Sequence, residues 1–130
     1  MSKSDIIFYR GGKVEQKELL EKINENTSLD EIQSYIKEVV ALRGFTNQSI
    51  QETMLLLLEE TGELAKAIRK SETKMSVDVD KLQNYDTVES EVADVFFVLA
   101  AICNQLDVDL LKALKEKERK NFERSWSFER

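Results

Sequence analysis

Two acidic pairs break into what would otherwise be apolar helix: Glu60 with Glu63 inside LLLLEETGEL, and Glu91 with Asp94 inside VESEVADVFFVL. The i,i+3 spacing of each pair puts both carboxylates on one helix face, about a turn apart. Leu57 and Leu64 flank Glu60, and Val88 and Val95 flank Glu91 at the same offsets, so the carboxylates lie on or beside the stripe the helix must bury. An unpaired carboxylate facing a core is costly. Four facing inward demand a compensating cation, and a metal ion shared between two antiparallel helices is the simplest source of one.

The rest of the composition narrows the chemistry. There is no histidine, which removes imidazole catalysis, Cys/His and Ser/His nucleophiles and the usual zinc sites. What remains is carboxylate, Lys, Arg, Tyr or water activated by an ion. Asp and Glu number 25 against 19 Lys and Arg, and the resulting charge of −6 disfavours broad contact with nucleic acid or an anionic membrane. A polyanionic substrate would need metal ions here. Cys103 is the only cysteine and lies within an apolar run, so it reads as a packing residue. That run, Val95 to Cys103, is too short to span a bilayer, and MSKSDIIFYRGG lacks the long apolar stretch of a signal peptide. A cytoplasmic location is the expectation.

No proline interrupts the chain, and helical periodicity recurs along it. Residues 1–27 read as an N-terminal arm, closed at Gly11-Gly12 and weakly helical after that. Residues 28–130 read as one helical domain. Ser28 and Glu31 form a capping box for a helix over 29–43, which stops at Gly44. Thr46, Asn47 or Ser49 caps a second helix that ends near Lys70, and residues 71–86 form a polar connection. Asp86 and Glu89 stand at capping-box spacing before a third helix to about Leu106. Asp107 or Asp109 caps a fourth, whose basic end suits the macrodipole. The fold class expected is all-α, an antiparallel bundle of about four main helices. The apolar faces of the third helix predict assembly as a homodimer or homotetramer. Phe96, Phe97, Phe122 and Trp126 are assigned to the core.

With oxygen donors only, the acidic quartet selects Mg²⁺, with Mn²⁺ as a substitute. The ferritin-like di-iron arrangement needs Glu-x-x-His pairs that this chain does not contain. Glu59-Glu60-Thr-Gly-Glu63 followed by Glu91-Val-Ala-Asp94 resembles the EExxE and ExxD motifs of the MazG-like all-α nucleoside triphosphate pyrophosphohydrolases. The likeness covers residues 43–70 and 89–124, about half the chain, with Lys117 and Asn121 resembling the family's Lys-x-x-x-Asn element. On that likeness the helical domain of 28–130 is MazG-like.

The resemblance implies Mg²⁺-dependent hydrolysis between the α and β phosphates of an NTP or dNTP and a role in nucleotide-pool house-cleaning; the charge balance adds the expectation of no nucleic-acid or membrane partner. Glu60, Glu63, Glu91 and Asp94 would hold the metal, and Glu59 would support them or position and deprotonate the attacking water. Lys117, Asn121 and Arg124 would contact phosphate or sugar, although lysine and arginine also end helices with no ligand. Phe45 and Trp126 would stack on the base or serve as bundle packing. Some members that favour pyrimidine deoxynucleotides carry Tyr four residues after the motif aspartate, where this chain has Val98. Base preference is left open by that departure. Two readings from other classes stand beside the enzyme: a non-catalytic helical module that binds nucleotide or a partner, and a purely structural bundle.

Overall fold

The structure, a computed structural model, describes the backbone of residues 3–127 and the side chains from Gly12 to Ser127. Five α-helices follow one another: α1 Lys3–Glu21, α2 Leu29–Leu42, α3 Ile50–Glu72, α4 Val88–Gln105 and α5 Leu110–Phe122. A 3₁₀ helix, Val79–Asn84, lies within the connection between α3 and α4, and there is no strand among the described residues. Periodicity and capping residues thus locate α2, α3 and α4 to within about two residues, while α5 stops at Phe122, four residues short of the expected run to Trp126.

Local chemistry sets most of the boundaries. Ser28 Oγ accepts from Glu31 N–H at 3.1 Å while the Glu31 carboxylate accepts from Ser28 N–H at 3.3 Å, so the expected capping box of α2 forms. Ser49 and Glu52 repeat the device at the start of α3, at 3.1 and 3.2 Å. The start of α4 departs from expectation by one residue. Thr87 is the N-cap, accepting from Ser90 N–H at 3.1 Å, and Asp86 instead accepts from the Ser90 hydroxyl and from Thr87 N–H, both at 2.8 Å. A carboxylate that already holds a hydroxyl and an adjacent amide leaves the cap to the threonine.

Two Schellman-type ends turn the chain. At the end of α2, Gly44 takes φ 79°, with Gly44 N–H on Ala41 O and Phe45 N–H on Val40 O, both at 3.0 Å. This turn carries Phe45 across the α2–α3 corner. At the end of α4, Asp107 adopts φ 54° and Val108 N–H reaches Cys103 O at 2.8 Å, while Asp109 Oδ1 caps α5 through Lys112 N–H at 3.0 Å. Of the two aspartates that could start α5, one therefore closes α4 and the other opens α5.

The core is formed where α2 meets α4, with Ile36 and Val39 packed near Ala100 and Cys103 in the buried set, and Ala67 buried on α3. Buried Gln33 ties the corner together. Its amide nitrogen donates to Asn104 Oδ1 at 3.2 Å and Val108 O at 3.0 Å, its carbonyl oxygen accepts from Leu110 N–H at 2.8 Å, and Asn104 Nδ2 donates back to Gln33 O at 2.9 Å. A buried amide with its donors and acceptor used fixes the register of α2 against the α4–α5 turn. α3 packs chiefly on α4, and the pair is antiparallel: Gln105 Nε2 at the end of α4 donates to Gln48 O ahead of α3. At the other end Arg69 Nη2, late in α3, donates to the Tyr85 hydroxyl ahead of α4.

Two expectations are corrected here. The arm does not close at Gly11-Gly12, since α1 runs through both glycines to Glu21. Gly12 is buried against α2, where a Cβ would stand 3.4 Å from Leu42 O, at van der Waals contact with the end of that helix. Gln16 Oε1 accepts from Arg43 Nε at 3.0 Å beside that contact. The second correction concerns aromatic residues placed in the core. Phe122 is 88% exposed and Trp126 69%, because α5 leans chiefly on α2 and projects its end away from the other helices; Phe96 is also exposed. Cys103 is buried and free, as a packing residue should be.

Candidate active site

Because α3 and α4 run antiparallel, residues in the middle of one face residues near the start of the other. Glu60 of α3 and Glu91 and Asp94 of α4 present carboxylate oxygens that all lie within 4.8 Å of one another. Glu91 is buried, Glu60 half-buried and Asp94 exposed, so the cluster opens to solvent on the Asp94 side. Such crowding is unfavourable without a counter-ion. Burial, then the charges of Asp94, Glu91, Glu63 and Glu59, push the Glu60 carboxyl above the usual carboxylate range. Burial, then Asp94, Asp86 and Glu63, do the same for Glu91, opposed by the Lys66 ammonium.

The donor set fits a hard divalent cation. Three carboxylate oxygens this close to one another could serve one divalent ion. Three carboxylates with no nitrogen or sulfur donor among them disfavour zinc and copper. Glu63, the fourth expected ligand, stands one turn further along α3, half-buried, with its Oε2 3.4 Å from Lys66 Nζ. Its charge bears on both Glu60 and Glu91, so it borders the cluster without joining the triad. Glu59 is exposed next to Glu60.

One turn from the acidic residues in the opposite direction the α3–α4 groove becomes apolar. A cavity of about 240 Å³ opens there, lined among others by Phe45, Thr53, Leu56, Phe97, Val98 and Ala101. Leu56 is four residues before Glu60 and Val98 four after Asp94, so the cavity adjoins the carboxylates along both helices. The structure thus places Phe45 at a cavity beside the triad. The remaining expected contacts are not gathered there. Lys117, Arg124 and Trp126 are exposed on or beyond α5, and no described hydrogen bond, ion pair or ring contact joins them to the triad. Asn121 Nδ2 donates to Glu118 Oε1 at 3.1 Å, while its Oδ1 is buried without a partner among the described residues.

The profile of the MazG nucleotide pyrophosphohydrolase domain matches residues 48–127, a span that holds α3, α4 and α5 and all four motif carboxylates. This chain belongs to the MazG family. As a member of it, the protein is a nucleotide pyrophosphatase. Its fold matches that of YPJD of Bacillus subtilis, provisionally named a pyrophosphatase, with a TM-score of 0.66 and 24% identity over 78% of this chain and 100% of the other. No protein of curated function matches it. The MazG match begins just before the Ser49 cap of α3, so α1 and α2 lie ahead of the matched span.

Sequence reasoning overlooked a group at the far end of the same groove. Lys66 and Lys70 stand 5.0 and 5.7 Å from the centre of the Tyr85 ring, whose hydroxyl accepts from Arg69. Lys66 and Lys70 are at i,i+4 in ELAKAIRK, on the face that continues from Glu63. That spacing was a readable signal; the approach of Tyr85, sixteen residues after Arg69, was not.

Proposed function

We propose that this MazG-family protein is a Mg²⁺-dependent nucleoside triphosphate pyrophosphohydrolase, converting an NTP or dNTP to its monophosphate and pyrophosphate and clearing surplus or non-standard nucleotides. The observation that carries this reading is the Glu60, Glu91 and Asp94 cluster, three oxygen donors within 4.8 Å on the facing helices that bear the family's motifs. Those three would hold the ion, with Glu63 turning from Lys66 to join them. When bound, Mg²⁺ would neutralise the phosphate chain, hold attacking and leaving oxygens in line and favour deprotonation of water.

The chain's own groups would do the rest. Glu59, exposed beside Glu60, would accept a hydrogen bond from the attacking water and take its proton. The cavity beside the triad would receive the nucleoside, with Phe45 and Phe97 offering ring faces and Lys37 the one charged side chain on its lining. Val98 supplies no hydroxyl there, so hydrogen bonds to the base would come from other lining side chains such as Gln48, Thr53 and Asn104.

The chain would act as a homodimer or homotetramer. Val92, Phe96 and Leu99 repeat at i, i+4 and i+7 on α4 and are all exposed in the single chain, as are Leu111 and Leu114 on α5. Covering those faces would bring a second copy's helices against this one. Lys117, Asn121 and Arg124 would then meet phosphate or sugar within the assembly.

A panel of NTPs, dNTPs and oxidised or methylated analogues, assayed for monophosphate and pyrophosphate, tests the reading. The expected result is stoichiometric release of both products from at least one nucleotide, abolished by EDTA and restored by Mg²⁺ or Mn²⁺. Tight binding of the panel with no turnover would contradict it and favour a nucleotide-binding module.

A further inference from the structure

The groove between α3 and α4 has two unlike ends. Along α3, Leu56 at the cavity lies one turn before Glu60, while Lys66 and Lys70 lie one and two turns after Glu63. The antiparallel α4 repeats that order, with Val98 one turn beyond Asp94 on the cavity side and Tyr85 ahead of the helix on the other. One end is apolar and the other is cationic.

At the cationic end three side chains converge on one ring. Arg69 Nη2 donates to the Tyr85 hydroxyl at 2.9 Å, and the ammonium groups of Lys66 and Lys70 lie over the ring within the range of cation–π attraction. Among the described residues neither Arg69 nor Lys70 is paired with a carboxylate, and the Lys66 pair with Glu63 joins two side chains that are 41% and 45% exposed. In a chain with 25 acidic residues against 19 basic ones, three cations held on an uncharged ring are available to an incoming anion. Helical side chains lean toward the N-terminus of their helix, so Lys66 and Lys70 lean toward the carboxylates. Lys66 already reaches Glu63 and acts on Glu91.

We propose that Lys66, Lys70 and Arg69, organised by Tyr85, hold the leaving diphosphate, so that a nucleoside triphosphate lies along the α3–α4 groove with its nucleoside over the Phe45 cavity and its terminal phosphates at Tyr85. This deepens the pyrophosphohydrolase reading and rests on it. In the reaction the water oxygen forms a bond to the α phosphorus as the α–β bridging bond breaks. The bridging oxygen leaves with the bonding electron pair on the β,γ-diphosphate, and the water proton passes to a carboxylate. The charge gained by the leaving group thus appears on the side where the ammonium and guanidinium groups stand. An ion that draws Glu63 away from Lys66 would free that lysine for the phosphate.

Product inhibition separates the two ends. Pyrophosphate and the monophosphate of the fastest nucleotide in the panel are used as inhibitors of the wild type, Lys66→Met, Lys70→Met and Lys70→Arg, with the helical circular dichroism signal as the check on folding. Each methionine variant is expected to raise the inhibition constant of pyrophosphate about tenfold and that of the monophosphate less than about twofold, with Lys70→Arg close to wild type. An unchanged pyrophosphate constant, or weaker monophosphate inhibition alone, would overturn the proposal, and equal weakening of both would mark a merely structural role and overturn it too. If the wild type hydrolyses no nucleotide, the pyrophosphohydrolase reading fails by itself. Calorimetric titration of pyrophosphate with Mg²⁺ then decides the cationic subsite: binding lost in the Lys66→Met/Lys70→Met double variant supports it, and equal binding overturns it.

Discussion

Asp94→Asn is expected to lower turnover by at least about 10²-fold, the scale of loss when one group aimed at the charge of a transition state is removed. Its helical signal and melting temperature without metal should be no lower than those of the wild type, since Asp94 is exposed and its charge burdens both Glu60 and Glu91. Glu60→Gln should behave alike, because an amide oxygen is a poorer ligand for a hard cation than a carboxylate. In both variants the stabilisation by Mg²⁺ expected of the wild type should be absent. At a concentration a hundred times Kd that stabilisation amounts to about 2.7 kcal/mol. Steady-state kinetics and thermal melts with and without Mg²⁺ make the check. A variant that keeps both its turnover and its Mg²⁺ response would remove that residue from the site.

The second large effect is a stability profile that reverses with metal. Without a cation, Glu60 and Glu91 have carboxyl groups raised by burial and by their acidic neighbours, so the folded state binds protons more readily than the unfolded chain. Stability then falls as pH rises through the window between the ordinary carboxylate value and the raised ones, and is lowest above it. Acidifying the metal-free protein from neutral pH should therefore raise its melting temperature until that ordinary value is reached. Asp86 works the other way. Its carboxyl is lowered by the Ser90 hydroxyl and the Thr87 amide, so the stability it adds is present above the unfolded pKa and lost as pH falls through its folded value. A maximum in mildly acid solution follows. Saturating Mg²⁺ pairs the same carboxylates with positive charge, so the holoprotein should lose its added stability on acidification. Glu60→Gln should flatten the metal-free profile and raise its neutral-pH end by a few degrees. Melting curves from pH 4 to 8 with EDTA or Mg²⁺ test this, and parallel profiles in the two conditions would contradict it.

Both expected effects come from one trade, in which crowded carboxylates are held at the expense of the metal-free fold. This explains which parts of the protein were legible in its sequence. The boundaries of α2 and α3 are local affairs of Ser28 with Glu31 and Ser49 with Glu52, each settled within four residues. The acidic residues were legible for the opposite reason, because Glu60 and Glu91 contradict the apolar pattern around them and only a shared partner resolves the contradiction.

What could not be read depends on distant packing. Nothing in Gly11-Gly12 tells that the chain stays helical through both glycines and that Gly12 is buried against the end of α2. Phe122 and Trp126 follow the apolar pattern of a helix, yet α5 leans chiefly on α2 and leaves them exposed. The choice of Thr87 over Asp86 as the α4 cap turned on a competing hydroxyl, Ser90 Oγ, which spacing rules do not weigh. Glu63 looked equivalent to Glu60 in the sequence, but Lys66 one turn later gives it a nearer partner when no metal is present.

The most direct test is a crystal structure of the protein with Mn²⁺ and an α,β-imido nucleoside triphosphate that cannot be cut. The account predicts an anomalous scattering peak bridged by Glu60, Glu91 and Asp94, with Glu63 turned from Lys66 and the nucleotide's α phosphate against the ion. A peak held by other residues, with these carboxylates apart and facing solvent beside the bound nucleotide, would contradict it.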